Sequence, residues 1–313
     1  MSDSQIGVII VNWNNYEDTS ECIESLQNQD AQTTIYLIDN GSTDGSIDKI
    51  EREFNDIEII KNRTNRGFAT AVNQGLDTAH QDNASYFFLA NSDIKLQDPN
   101  SLSELVETCK QDGFGIVSAR VIKPGGDEIW FEQGKINWFT GGSAHVCDAG
   151  ILKTGVMRSK NIDCGEITAS NDYVPLCSAL IDQSVYQSVG HLPEDYFLYY
   201  EDVDYCTKVR EAGFEIVTDL NVNVIHKESA SSGGRTSPTA SYYTSRNHQI
   251  FLRNYWGEIN HIISISFYIW WMALLSGYRI VNQEWESVIA LWEGVIDGIY
   301  NRENNGRYPK NED

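Results

Sequence analysis

The N-terminal part of the chain alternates short, β-branched apolar runs with longer segments of helical spacing. Ile6-Gly7-Val8-Ile9-Ile10-Val11 is apolar without interruption, as expected of a strand buried on both faces of a parallel sheet. Within Glu17 to Gln27, Cys22, Ile23 and Leu26 recur on one helical face. Thr34 to Ile38 predicts a second strand ending at Asp39, and the turn residues Asn40-Gly41-Ser42-Thr43-Asp44-Gly45 follow before another short helix. A third strand over 57–60, a helix over about 69–79 and a fourth strand over 86–89 continue the series. This alternation implies an α/β sheet with right-handed crossovers. Ligands bind such sheets beyond the carboxyl ends of the strands, where Asn12, Asp39 and Asn91-Ser92-Asp93 fall.

After Ala119 the pattern loosens. Ile129-Trp130-Phe131 and Trp138-Phe139-Thr140-Gly141-Gly142 suit mixed strands and a substrate-shaping loop, and strand character returns over 214–218 and 222–225. Ser229 to Thr239 is rich in Ser, Gly and Pro and is expected to be a mobile loop. Ile262 to Leu275 is apolar except for Ser264 and Ser266, short of the roughly 20 residues a membrane-spanning helix needs. Trp285, Val288, Ile289, Trp292, Val295, Ile296 and Ile299 then recur at helical spacing with acidic residues opposite. The expected division is a catalytic domain over 1–250 and a C-terminal helical region over 251–313 that either contacts a membrane peripherally or forms a homodimer.

Charge narrows the partners. Lys plus Arg number 23 against 45 Asp plus Glu, a net charge of −22 that disfavours nucleic acid as the main partner and would also suit a high-salt cytoplasm. The six cysteines show no Cys-x-x-Cys pair, and the N-terminus lacks the basic flank of a signal peptide. The expected location is the cytoplasm, or the cytoplasmic face of a membrane.

Candidate chemistry centres on Glu201-Asp202-Val203-Asp204, which places three carboxylates in four residues directly after the aromatic run Phe197 to Tyr200. Such charge beside apolar surface needs a partner or a task. Helix capping explains Asp204 well and the Glu201-Asp202 pair poorly. Asn91 and Asp93, two residues apart at a strand end, suit a hard divalent cation, although the same residues also begin turns. No Gly-x-Gly-x-x-Gly follows the first strand, which argues against a dinucleotide-dependent oxidoreductase.

Taken in order, the segments resemble a known family. Val11-Asn12-Trp13-Asn14, Ile38-Asp39-Asn40-Gly41-Ser42-Thr43-Asp44-Gly45-Ser46, Asn65-Arg66-Gly67-Phe68-Ala69 with Asn73-Gln74-Gly75, and Leu89-Ala90-Asn91-Ser92-Asp93 are similar to motifs of the family 2 glycosyltransferases. Cys177 to Leu180, Leu192 to Asp204, Arg210 to Gly213, His226 and Tyr242 to Asn247 extend the resemblance, which is strongest to the rhamnosyltransferase-like branch. It implies an inverting enzyme with the GT-A nucleotide-sugar-binding fold and a C-terminal helical extension. Donor-binding positions would be Val11, Asn12, Asp39, Asn65, Gly67, Asn73, Asn91 and Asp93. Asp93 and His226 would hold Mg2+ or Mn2+, and many relatives carry Asp where this chain has Asn91. Asp202 matches the general base, with Glu201, Arg246 and Trp138 toward the acceptor; an ordinary ion pair for Arg246 and a core position for Trp138 remain open. The implied donor is a dTDP- or UDP-sugar carrying rhamnose or another hexose. The implied acceptor is a glycan or polyprenyl-linked hydroxyl. A noncatalytic nucleotide-sugar-binding protein that keeps the fold is the alternative.

Overall fold

The computed structural model describes residues 5–111, 113–126, 128–146, 168–227, 236–258 and 260–302. Its strands are β1 (Ile6–Asn12), β2 (Thr33–Asp39), β3 (Glu58–Lys61), β4 (Tyr86–Asn91), β5 (Ile94–Leu96), β6 (Phe114–Ile122), β7 (Ile129–Phe131), β8 (Gln133–Asn137), β9 (Gly142–Val146), β10 (Thr168–Ser170), β11 (Ser178–Asp182) and β12 (Glu215–His226). The helices are α1 (Tyr16–Gln27), α2 (Ser46–Glu53), α3 (Phe68–Gln81), α4 (Ser101–Cys109), α5 (Gln183–Val189), α6 (Glu201–Glu211), α7 (Pro238–Asn254), α8 (His261–Val281) and α9 (Trp285–Ile299).

One sheet runs β10-β12-β6-β11-β4-β1-β2-β3, parallel through β4-β1-β2-β3 and antiparallel where β11 is inserted. Strand alternation sorts the core onto two faces. Val8, Ile10, Leu37 and Phe88 pack with α1, α2 and α4, while Ile9, Ile38, Phe87 and Leu89 pack with α3 and with Val203, Tyr205 and Val209 of α6. The expected α/β class and the first four strands are as the apolar runs predict. The strands expected over 214–218 and 222–225 are instead one strand, β12, interrupted by a register shift between Asp219 and Asn223. Buried Asp219 fixes that shift: its carboxylate accepts from Thr108 Oγ1 at 2.6 Å and from the Asn221 amide at 2.9 Å.

The Trp138–Gly142 segment is the turn of the β8–β9 hairpin. The expected Ser229–Thr239 loop lies outside the described residues as far as 235; α7 begins at Pro238, with Ser237 Oγ accepting from the Ala240 amide at 3.1 Å. α7 runs through residue 250 and packs closely on α9. Two glycines on α9 allow the approach: a Cβ at Gly294 would lie 2.3 Å from Tyr242 O, and one at Gly298 would lie 2.5 Å from Arg246 O. No helix among the described residues is long and apolar enough to cross a membrane.

Because the obstacle at Gly294 is backbone, a side chain there cannot be absorbed by a rotamer change. Gly294→Val should force α7 and α9 apart and destabilise the chain by about 1–3 kcal/mol, read as a fall in Tm on thermal unfolding. An unchanged Tm would contradict this packing.

Candidate active site

The strand ends converge as the parallel register requires. Asn12 stands beside Asp39, and Val11 beside Asn91, so the expected donor-side residues share one edge of the sheet. Asn12 is fully buried: its amide donates to Asp39 Oδ1 at 3.0 Å and to Ser42 Oγ at 3.1 Å, and its oxygen accepts from Thr19 Oγ1 at 2.8 Å. Its side chain therefore orients Asp39 and has little left for a ligand. Buried Asn40 links the neighbouring loops, donating to Asn65 Oδ1 at 3.0 Å and Gly67 O at 3.1 Å while accepting from the Arg66 amide at 3.0 Å.

Asp93 and His226 meet at the far side of this edge. β5 pairs antiparallel with the end of β12, His226 opposite Ile94, and the Lys227 amide donates to Asp93 O at 3.1 Å. Asp93 Oδ1 lies 3.2 Å from His226 Nε2, with both residues buried. Asp93 Oδ2 and His226 Nδ1 are buried without hydrogen-bond partners. An unsatisfied carboxylate oxygen beside an imidazole is a donor set that fits a divalent cation. Among the described residues no third His, Cys, Asp or Glu joins them, so a cation there would take its other ligands from water and substrate oxygens.

The base candidates occupy the first turn of α6. Asp202 Oδ1 accepts from the Val203 amide at 2.8 Å, using one of the free N–H groups of the helix start. Burial is the main cause that raises the Asp202 carboxyl above the usual carboxylate range, and the Val203 amide works against it. Glu201 is raised too, by burial first and the adjacent Asp202 charge second, and its buried Oε2 has no partner. The expected capping role of Asp204 does not hold. Asp204 lies inside α6, wholly buried, where its carboxylate accepts from Tyr196 Oη at 2.6 Å and Tyr255 Oη at 3.2 Å and pairs with Lys208 Nζ at 2.8 Å. Burial raises the Cys177 thiol pKa most, and the charges of Asp93 and Asp202 both add to the rise.

The loop that delivers Asp202 is held in a conformation that aromatic residues avoid. Phe197, Tyr199 and Tyr200 have φ of 63°, 68° and 74°, costing of order 1–2 kcal/mol each. The Asn247 side-chain amide on α7 compensates by donating to the carbonyls of Tyr196, Leu198 and Tyr199 at 2.8, 2.7 and 2.8 Å. On the opposite side Phe68 N donates to Phe197 O at 2.8 Å, and Gly67, with φ of 86°, lies so close that a Cβ would stand 2.8 Å from that same oxygen. Gly67 is thus demanded by the protein's own backbone.

Asn73 and Arg246 are also held by internal bonds. Asn73 is buried and bonds Leu192 through both ends of its amide, at 2.9 and 3.0 Å, and also Glu194 at 2.9 Å, so it braces the segment leading to the loop. The resemblance implies Arg246 toward the acceptor, with an ordinary ion pair as the alternative. The structure leaves it 2 % exposed, with Nη1 donating to Asp195 O and Asn247 Oδ1 at 2.9 and 2.8 Å and Nε to Arg302 O at 3.3 Å. Trp138 is half-buried against Phe251 and Tyr255, with ring centroids 6.1 and 5.9 Å away. Asn40, Ser42, Cys177, Glu194 and Asn247 escaped sequence reasoning as individual residues. All five lie inside or beside the motifs that carry the resemblance, which was the available signal.

The fold is that of the GT-A nucleotide-sugar glycosyltransferases. The mannosyltransferase PcManGT of Pyrobaculum calidifontis, solved with GDP-mannose and Mn2+, superposes with a TM-score of 0.59 at 13% identity, over 95% of this chain and 88% of that one. The family model described as Glycosyl transferase family 2 matches residues 7–162. The chain belongs to this family and is an enzyme of the glycosyltransferase class. It is 22% identical over 312 residues to the low-salt glycan biosynthesis hexosyltransferase Agl10 of Haloferax volcanii, covering 95% of this chain and 92% of the relative. It is 23% identical over 212 residues to the N-acetylglucosaminyl-diphospho-decaprenol L-rhamnosyltransferase of Mycobacterium tuberculosis, covering 64% and 68%.

The bracing of the loop can be tested apart from the chemistry. Asn247→Ala should leave several carbonyls short of a donor, destabilise the chain by about 1–3 kcal/mol and lower kcat by about 100-fold through misplacement of α6. Donor-induced thermal stabilisation should persist. A native kcat in the folded variant would remove Asn247 from any positioning role.

Proposed function

We propose that this chain transfers a hexosyl group, rhamnosyl being the leading case, from a nucleoside diphosphate donor to a hydroxyl of a glycan or polyprenyl-linked acceptor, with inversion. The observation that carries the reading is the buried Asp93–His226 pair with its unsatisfied polar atoms, together with the Glu201–Asp202 carboxylates on the first turn of α6. Relatives named for hexosyl transfer and for rhamnosyl transfer to a decaprenol-linked sugar support the substrate classes. Val11, Asn12, Asp39 and Asn65 form the side on which the nucleotide would bind. Asn12 acts there through Asp39, and Asn91 and Asp93 face the diphosphate.

Asp93 and His226 would hold a divalent cation, Mg2+ or Mn2+, which would supply positive charge for the leaving diphosphate. The acceptor hydroxyl lies within reach of Asp202, whose carboxylate takes its proton. As the new C–O bond forms at the anomeric carbon, the bond to the diphosphate oxygen breaks and the electron pair leaves with the nucleotide. Glu201, protonated more readily than an ordinary carboxyl, offers the acceptor a hydrogen bond and spares Asp202 a second adjacent negative charge. The free buried thiols Cys22, Cys109, Cys177 and Cys206 support a reducing, cytoplasmic setting.

A donor panel of dTDP-, UDP- and GDP-sugars with Mg2+ or Mn2+, read as thermal stabilisation and donor hydrolysis, identifies the nucleotide; absence of any response would defeat the reading. Asp202→Asn should lower transfer by about 100- to 10,000-fold while keeping donor stabilisation. Removing a carboxyl whose folded pKa is raised should also leave Tm equal or higher at neutral pH. The sign follows because an acid with a raised folded pKa loses stability as pH climbs through the interval between its unfolded and folded values.

For the same reason the native rate should fall on the acid side with a midpoint above about 4, the usual Asp value. A midpoint at or below that value would deny Asp202 the base role. His226→Ala should weaken the Mn2+ enhancement of donor binding by about tenfold or more. Unchanged metal dependence in that variant would remove Asp93 and His226 from the cation site.

A further inference from the structure

Among the described residues seventeen large apolar side chains are exposed, and fifteen of them lie between Ile262 and Tyr300 on α8, α9 and their connections. α8 carries no charged residue from Ile262 to Tyr278. At 100° per residue its exposed positions, among them Ile265, Ile269, Trp270 and Leu274, sweep more than half of the helix circumference. A partner helix covers a narrow seam of two positions in seven. A surface this broad and uncharged is matched instead by a fluid apolar phase. On α9, Trp285 and Trp292 stand exposed on the same stripe as Ile289 and Ile296, and indole rings favour the boundary between lipid and water.

The patch is continuous with the acceptor side of the site. Ser264 Oγ on α8 donates to Thr140 O at 3.1 Å, beside Phe139, which is 65% exposed. His248 packs between Tyr268 of α8 and Tyr200, at centroid distances of 4.9 and 5.8 Å, and Tyr200 is the residue before Glu201. We infer that α8 and α9 dock the chain on the surface of a lipid bilayer of low surface charge, so that the acceptor side of the active site faces the membrane. That purpose rests on the glycosyl-transfer reading, whereas the docking itself does not. The net charge of −22 sets the lipid preference, since anionic headgroups repel an acidic protein.

Flotation of the full chain with vesicles of phosphatidylcholine tests the inference without any catalysis. The native chain should rise with neutral vesicles and bind less as phosphatidylglycerol is added. Two paired variants, I269E with W270E on α8 and I289E with I296E on α9, should lower the bound fraction by about tenfold or more. Both alter exposed side chains only, and donor-induced stabilisation should stay native in each, which separates failed docking from a failed reading of the site. A native chain that stays at the bottom of the gradient overturns the inference, as does flotation unchanged in both variants. A concentration-dependent dimer that fails to bind vesicles would assign the face to a second copy instead.

Discussion

One side-chain amide governs where the reactive helix begins. Between Tyr196 and Tyr200 the backbone turns its carbonyls inward, and like dipoles converging on one point repel unless a donor stands among them. Asn247 supplies that donor from α7 to three of the carbonyls, and the Leu198 amide shares Tyr196 O at 2.7 Å. The arrangement reaches further than its own bonds. Arg246, the preceding residue, fastens Asp195; Asn73 and Thr70 of α3 fasten Glu194; and the Gly67–Phe68 corner closes the other flank. Helices separated widely in sequence thus agree on one position for the first turn of α6, and Asp202 inherits that position.

The acidic residues of this chain are treated in two opposite ways. Asp204 is surrounded by phenols, an amide and Lys208, so its charge is fully compensated and it serves to tie α6 to Tyr196 and Tyr255. On the same turn, Glu201 is buried and Asp202 half-buried, without an ion pair among the described residues. Their discomfort is a local instability that the braces around them hold in place, as is common where a residue must react rather than support. Asp93 and His226 show the same incompleteness, each retaining an unsatisfied polar atom in the interior.

The sheet was readable because buried parallel strands announce themselves as unbroken apolar runs, and β1, β2, β3 and β4 lie where those runs predict. The strand-end positions of Asn12, Asp39 and Asn91 followed from that topology alone. Individual duties were harder to read. A sequence does not reveal that Asn73 meets Leu192 or that Arg246 meets Asp195, because those partners are set by tertiary packing across long separations. Polar residues in recognisable motifs therefore looked like ligand contacts when several are internal fasteners. Gly67 is the clearest instance, because the group that approaches it is the Phe197 carbonyl.

The interruption in β12 has an arithmetic consequence. Asp219 pairs with Ala119 and Asn223 with Arg120, so four steps along β12 correspond to one along β6, and three residues are extra. Three is odd, and side chains on a strand alternate, so the insertion exchanges the two faces for everything downstream. His226 owes its view of Asp93 to that parity. Chains of this kind should tolerate length changes in the kink only in steps of two; a single added or deleted residue would turn the imidazole away while leaving every motif in the sequence intact.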